Sequence, residues 1–215
     1  MEHYVNLPLT AEKAKMLRAG DTVYLTGEIY SSRDAGHKRM VELLERGEQL
    51  PFDPENATIY YVGPSPAKPG QVIGSAGPTT SGRMDAYAPT LLSVGARGMI
   101  GKGARSPEVI EAMKRHSGVY FGAIGGAGAL LAKCIKKAEL IAWEDLQSEA
   151  LRKLWVENMP LVVVIDCEGN DLYQQGRNAY RNPKYKPNAK PAGEKTENQP
   201  DAHNGILKGT GNGSS

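Results

Sequence analysis

The sequence predicts an α/β fold in which a mixed sheet is flanked by helices, followed by a polar C-terminal tail. Three observations lead there. Short β-branched and aromatic runs alternate with stretches of helical period over the first part of the chain. The runs hand over to one another through turns rich in Gly, Ser, Thr or Pro. Near residue 176 the composition then shifts to Asn, Pro, Lys and Gly with almost no large aliphatic residues. Such a segment cannot bury enough apolar surface to offset the entropy of ordering, so residues 181–215 read as a flexible tail after a domain over 1–180.

Taken in order, Thr10 followed by "AEKAKMLRAGD" reads as a helix with a hydroxyl N-cap, Glu12 in its first turn and Gly20 just past its end. "TVYLTGEIY" is strand-like and runs into "SSRDAGHKRMVELLERG", where Met40, Leu43 and Leu44 recur at helical spacing behind a Ser-Ser-x-Asp start. "TIYYVGP" is a strand. "QVIGSA" reads as another, leading through "GPTTSGR" into the helix "MDAYAPTLLSVGA". "RGMIGKG" leads into "ARSPEVIEAMKRH", with Ser106 as N-cap and Pro107 at the first helical position. "GVYFGA" leads through "IGGAG" into the expected helix "ALLAKCIKKAEL", and "LVVVIDCEG" is apolar on both faces, as the centre of a covered sheet should be. The extra strands of the first half suggest antiparallel or barrel-like pairing there.

Composition excludes several classes of function. With 26 basic and 24 acidic residues among 215, the chain has a formal charge of +2 and no nucleic-acid signature. Cys134 and Cys167 cannot by themselves make a disulfide framework, a four-cysteine zinc site or an iron–sulfur ligand set, which favours a reducing, cytoplasmic location. "MEHYVNLPLTAEKAKML" lacks the layout of a secretory signal, and "YFGAIGGAGALLA" is shorter than the roughly 18–20 residues of a membrane helix, so no membrane association is expected. "GAIGGAG" fails as a dinucleotide fingerprint, because Leu131 stands where the third glycine belongs. It reads instead as close helix–sheet packing with some backbone lining of a site.

Three turns carry chemistry. "GPTTSGR" combines the hydroxyls of Thr79, Thr80 and Ser81 with Arg83, whose planar fork matches a carboxylate, ahead of a helix N-terminus that favours anions. "SSRDAGHKR" gathers Ser31, Ser32, Arg33, Asp34 and His37 where another helix begins. "IGKGARS" sets Lys102 between two glycines at a third strand end. Ligands of α/β folds sit beyond the carboxyl ends of the strands, so neighbouring strands would bring the three cations together around a small molecule with two or more anionic groups. Neither a metal site nor a nucleophile–base pair is evident, so the residues alone describe a binding surface.

"YLTGEIYSSRDAGHKR", "GPTTSGRMDAYAP" and "GMIGKG", in this order and spacing, resemble the C-terminal domain of class I, iron–sulfur fumarate hydratases, a β subunit in two-subunit enzymes; the sister family is the β subunit of L-tartrate dehydratase. The resemblance spans about residues 3–175 and implies a swivelling β/α domain. It further implies a [4Fe-4S] cluster carried by a partner α subunit and not by this chain, a hetero-oligomer such as α2β2, and reversible hydration of fumarate to L-malate. By motif, it places Arg33, Thr80, Arg83 and Lys102 on the carboxylates of a C4 dicarboxylate. It puts Thr79 in proton transfer, with Asp34 and His37 in support of the catalytic set. L-tartrate dehydration and a non-catalytic dicarboxylate-binding or assembly role stay open beside it.

Overall fold

The computed structural model describes residues 1–123 and 127–181. The expected tail beyond Arg181 and the first three residues of "IGGAG" therefore lie outside the described residues. The chain begins with β1 (Glu2–Asn6), α1 (Ala11–Met16), β2 (Thr22–Ser31), α2 (Asp34–Glu45) and β3 (Thr58–Tyr60). After a long loop come a 3₁₀ turn (Ser81–Met84), α3 (Ala88–Ser93), β4 (Gly98–Gly101), α4 (Pro107–His116) and β5 (Val119–Gly122). The last part holds α5 (Gly128–Cys134), β6 (Ile135–Ala142), a second 3₁₀ turn (Glu144–Glu149), β7 (Leu151–Ile165) and α6 (Leu172–Tyr180).

The seven strands form one mixed sheet in the order β1-β2-β3-β4-β5-β7-β6, and β2 also pairs with β7. β1 to β5 run parallel, whereas β7 is antiparallel to β2, β5 and β6. The β2–β7 pairing closes β2, β3, β4, β5 and β7 into a ring. The antiparallel, barrel-like element expected of the first half thus comes from β2 with a strand of the second half.

Side chains alternate across a strand, and the two faces of this ring fill two cores. Tyr60, Ile100 and Phe121 join Leu25, Ile29, Leu154, Val156 and Val163 in the interior cluster, to which every ring strand contributes. Their neighbours Ile59, Met99 and Tyr120 point the other way, onto Met40, Leu91, Leu92, Val109 and Met113 of α2, α3 and α4. The expected caps hold where they are local: Thr10 Oγ accepts from the Lys13 amide and Ser106 Oγ from the Val109 amide, with Pro107 as the first residue of α4.

Three expectations are corrected. "QVIGSA" is a loop, not a strand. Both edges of β3 are already taken, by β2 and β4, and the loop's backbone turns on itself, Ser75 donating to Ser65 Oγ and accepting from the Ser65 amide. The helix over 129–140 stops at Cys134 and continues as β6, because the first half of β7 offers an open edge that Ile135–Ala142 fills against a weak helical preference. β1, which the sequence reading passed over, lies parallel on the first half of β2.

The ring makes a stability prediction. Leu154 is fully buried in the interior opposite Ile29, so Leu154→Ala should cost about 2–5 kcal/mol in urea unfolding with an unchanged m-value. Trp155→Ala, one residue on but 43% exposed, should cost clearly less.

Candidate functional site

The parallel run of β2, β3, β4 and β5 sends four chain exits to one rim, where three of the chemically interesting turns meet. Arg33 is the N-cap of α2 at the exit of β2, Lys102 follows β4, and the Thr79–Arg83 segment lies between them. Backbone bonds stitch this segment in place: the Thr79 amide donates to Tyr61 O at 2.8 Å, Lys102 to Thr79 O at 3.3 Å, and Ser81 to Lys102 O at 2.9 Å. Thr80 and Lys102 thereby form a parallel bridge, a one-residue extension of the sheet. Arg83 reaches across to α2, donating to Asp34 Oδ2 at 2.7 Å. The structure therefore brings Arg33, Asp34, Thr79, Thr80, Arg83 and Lys102 to one rim.

The threonine loop differs in two details from what sequence alone suggested. No helix begins at Thr79–Thr80; Ser81–Met84 is a four-residue 3₁₀ turn without a side-chain cap. The anion-binding contribution of a helix N-terminus is thus absent from this loop, and its recognition rests on side chains. Ser81 is turned inward and fully buried, its Oγ 2.8 Å from Tyr120 Oη, so it does not join the threonines on the ligand face. Thr79 is half-buried, while Thr80, Arg83 and Lys102 are exposed.

Two of the three cations are held by the chain's own carboxylates. Arg33 Nη2 lies 3.2 Å from Glu149 Oε1, whose other oxygen accepts from the Ala35 amide at 3.2 Å. Glu149 therefore caps α2 from 114 residues away, a role that neither Ser32 nor Arg33 fills with its own side chain. The Arg33 side chain crosses Gly63, where a Cβ would stand 2.8 Å from its Cδ and 2.9 Å from its Nη1. Among the described residues Lys102 makes no ion pair. The pair between Arg83 and Asp34, 50% and 31% exposed, is of the labile surface kind that an arriving carboxylate can replace.

His37 lies beneath this rim. It is fully buried; its Nδ1–H donates to Arg33 O at 2.8 Å, and its ring meets Tyr61 edge-on at 5.1 Å. Nε2 is buried with no partner among the described residues. Burial is the main force lowering the pKa of His37 to about 4, helped by the Arg105 charge and opposed by Arg33 O and Asp34. At neutral pH His37 is an uncharged prop for the Arg33 backbone.

Sequence alone does not mark Glu149, Asp85, Arg105 or Tyr120, and only "GRMD" and "GKGARS" hint at two of them. Arg105 has a fully buried side chain, its Nε 2.7 Å from Asp85 Oδ1. Cys134 Sγ donates to Leu130 O inside its own helix and Cys167 Sγ to Ala14 O, each at 3.7 Å. Among the described residues no three His, Cys, Asp or Glu gather to hold a metal ion. No described helix is long and apolar enough to cross a membrane. A groove of about 440 Å³ between the Ser65–Ser75 loop and α5 is not lined by any of the three cations.

Comparison with known proteins adds to this geometry. The family described as Fumarase C-terminus matches residues 2–176. An aerobic class I fumarate hydratase of Salmonella typhimurium is 43% identical over 153 residues, 70% of this chain and 26% of that protein. Fumarate hydratase 2 of Leishmania major is 41% identical over 158 residues, 73% of this chain and 28% of that protein. A Methanocaldococcus jannaschii protein provisionally named L(+)-tartrate dehydratase subunit beta is 36% identical over 181 residues, 81% of this chain and 92% of that protein. The chain spans about a quarter of the length of these two fumarate hydratases.

Burial of His37 makes a pH prediction. The folded state keeps it neutral down to about pH 4, whereas the unfolded chain takes up the proton near 6.5. Its contribution to stability is therefore complete above pH 6.5 and declines as the pH falls towards 4, by at most about 1.4 kcal/mol per pH unit. His37→Asn, which keeps a donor for Arg33 O, should remove one proton from the pH dependence of the unfolding free energy in that window.

Proposed function

The chain belongs to the Fumarase C-terminus family, and from that premise we propose that it is the β part of a hydro-lyase that reversibly hydrates fumarate to L-malate. In this reading the site is shared with an α subunit, in a hetero-oligomer such as α2β2 in the cytoplasm, and the chain acts as a swivelling domain that closes on its partner. The [4Fe-4S] cluster is the partner's, in keeping with two cysteines on this chain that are engaged elsewhere. The relative named as a separate β subunit, matched over 92% of its length, supports a subunit of this kind.

The observation that carries the proposal is the meeting of Arg33, Arg83 and Lys102 with the Thr79 and Thr80 hydroxyls at the exits of parallel strands. A C4 dicarboxylate presents two anionic ends. Arg83 leaves Asp34 to take one carboxylate through its planar fork, and Arg33, Thr80 and Lys102 complete the hold. Removing water from malate requires loss of a proton from the carbon beside a carboxylate, and fixed cations on that carboxylate stabilise the charge that develops. Thr79 moves this proton. A free threonine is a weak base, so the role depends on the Arg83 and Lys102 charges favouring its alkoxide. Asp34 holds Arg83, and His37 fixes the Arg33 backbone.

L-tartrate is the second reading, favoured by the Methanocaldococcus jannaschii relative, whereas the higher identities are to fumarate hydratases. Assaying the assembled complex with fumarate and L-tartrate side by side decides between them.

Two outcomes test the proposal. The purified chain should not hydrate fumarate even after anaerobic cluster reconstitution, and turnover should appear on addition of the α partner; substantial turnover by the chain alone would overturn the shared site. In the complex, Thr79→Val should lower kcat by roughly 10²–10⁴-fold with assembly intact. Loss of unfolding midpoint with kcat unchanged would remove Thr79 from the proton path.

A further inference from the structure

Beneath the Thr79–Asp85 loop lies a buried polar cluster that touches no ligand face. Tyr120 O–H donates to Gly103 O at 2.9 Å, and Ser81 Oγ, 2.8 Å away, donates to the Tyr120 oxygen. This relay ties the threonine loop to the turn that carries Lys102. It is also tight: a Cβ on Gly101 would run into Ser81 Oγ and stand 3.0 Å from the Tyr61 ring.

Arg105 ties in the rest. Its guanidinium sits 5.2 Å from the Tyr61 ring centre and 5.1 Å from that of Tyr120. Nε binds Asp85 Oδ1 at 2.7 Å, two residues beyond Arg83, and the other Asp85 oxygen accepts from the Ser106 amide at 2.8 Å. Nη1 reaches Tyr61 Oη at 3.4 Å. Tyr61 in turn holds the Thr79 amide through its carbonyl and packs on His37, the prop of Arg33. One buried cation therefore contacts a support of each of the three turns at the rim.

A buried guanidinium whose Nη2 has no partner among the described residues is an inefficient way to fill a core, since apolar side chains of similar volume often stabilise as well or better. Its bonds run to the loop that carries Thr79 and Arg83, which is where a fixed geometry matters for reaction rather than for folding.

We propose that Arg105 and Tyr120 are positioning residues that hold Thr79 and Arg83 in register with Lys102. The inference rests on the reading of those three as the reacting face. Tyr120→Phe keeps the ring under the guanidinium and removes only the oxygen that carries the relay. Arg105→Lys keeps the charge and loses the fork between Asp85 and Tyr61.

In the complex with the α partner, Tyr120→Phe should lower kcat for fumarate hydration at least about 10-fold with KM changed by less than about 2-fold, because the Ser81 and Gly103 that it ties together flank the backbone pairing of Thr79 with Lys102. Arg105→Lys should instead raise KM, because it frees Asp85 and with it Arg83. In the chain alone, hydrogen exchange should quicken about 10-fold at the Ser81 and Lys102 amides in Tyr120→Phe while Val23 and Leu25 of β2 exchange as in the wild type. Unchanged kcat and KM in both variants, or exchange that quickens equally across the sheet, would overturn the positioning role and leave the proposed activity standing. If the wild-type complex does not hydrate fumarate, the proposed activity falls, and exchange at Ser81 and Lys102 alone decides whether the clamp exists.

Discussion

A 15-residue strand with partners on both edges sets the geometry of this protein. β7 runs antiparallel to β2 along one edge, and on the other edge it takes β6 with its first half and β5 with its second. An open parallel sheet would splay its exits; closing the ring through β7 turns those of β2, β3, β4 and β5 onto one rim. The closure needs a local irregularity. The β2–β7 register shifts between Leu25 and Gly27, and Gly27 has a φ of +133° with Leu7 packed where its Cβ would stand. A bulge at a glycine bends the strand and strengthens its twist, which is how short sheets curl into barrels.

With the exits fixed, the electrostatics of the rim follow. Arg33 and Arg83 both lie against Asp34, and the chain offsets their charge with that carboxylate and Glu149. The two carboxylates differ in kind. Glu149 serves Arg33 and the first turn of α2 at once, with its side chain only 22% exposed, so it is part of the scaffold. Asp34 holds Arg83 at a more open position, and that contact is the one suited to exchange for a ligand carboxylate.

A polar core lies under this rim, and the loops above it explain why. Loop residues that carry reactive groups have few apolar contacts of their own, so their positions must be fixed from below. Here the fixing groups are Tyr61, Tyr120, Ser81, Asp85 and Arg105, arranged so that most polar atoms find a partner. His37 belongs to this layer and not to the face, which is the physical reason it stays uncharged at neutral pH.

What the sequence determined by itself was whatever depends on neighbours in the chain. Period fixed α1, α2 and α4, with local caps at α1 and α4, and β-branched and aromatic runs fixed β2, β3, β4 and β5. The three turns with their cations were legible because turn chemistry is local. "IKKAELIA" became a strand and "QVIGSA" a loop because an open edge of β7 and two occupied edges of β3 outweighed local preference, and no window of sequence contains those edges. The tertiary structure alone decided which way each polar group faces: Ser81 inward and Thr80 outward from adjacent positions, His37 beneath Arg33, and Glu149 across 114 residues onto α2. Distant carboxylates and buried cations act through space, and their partners are chosen by the closure of the ring rather than by the order of residues.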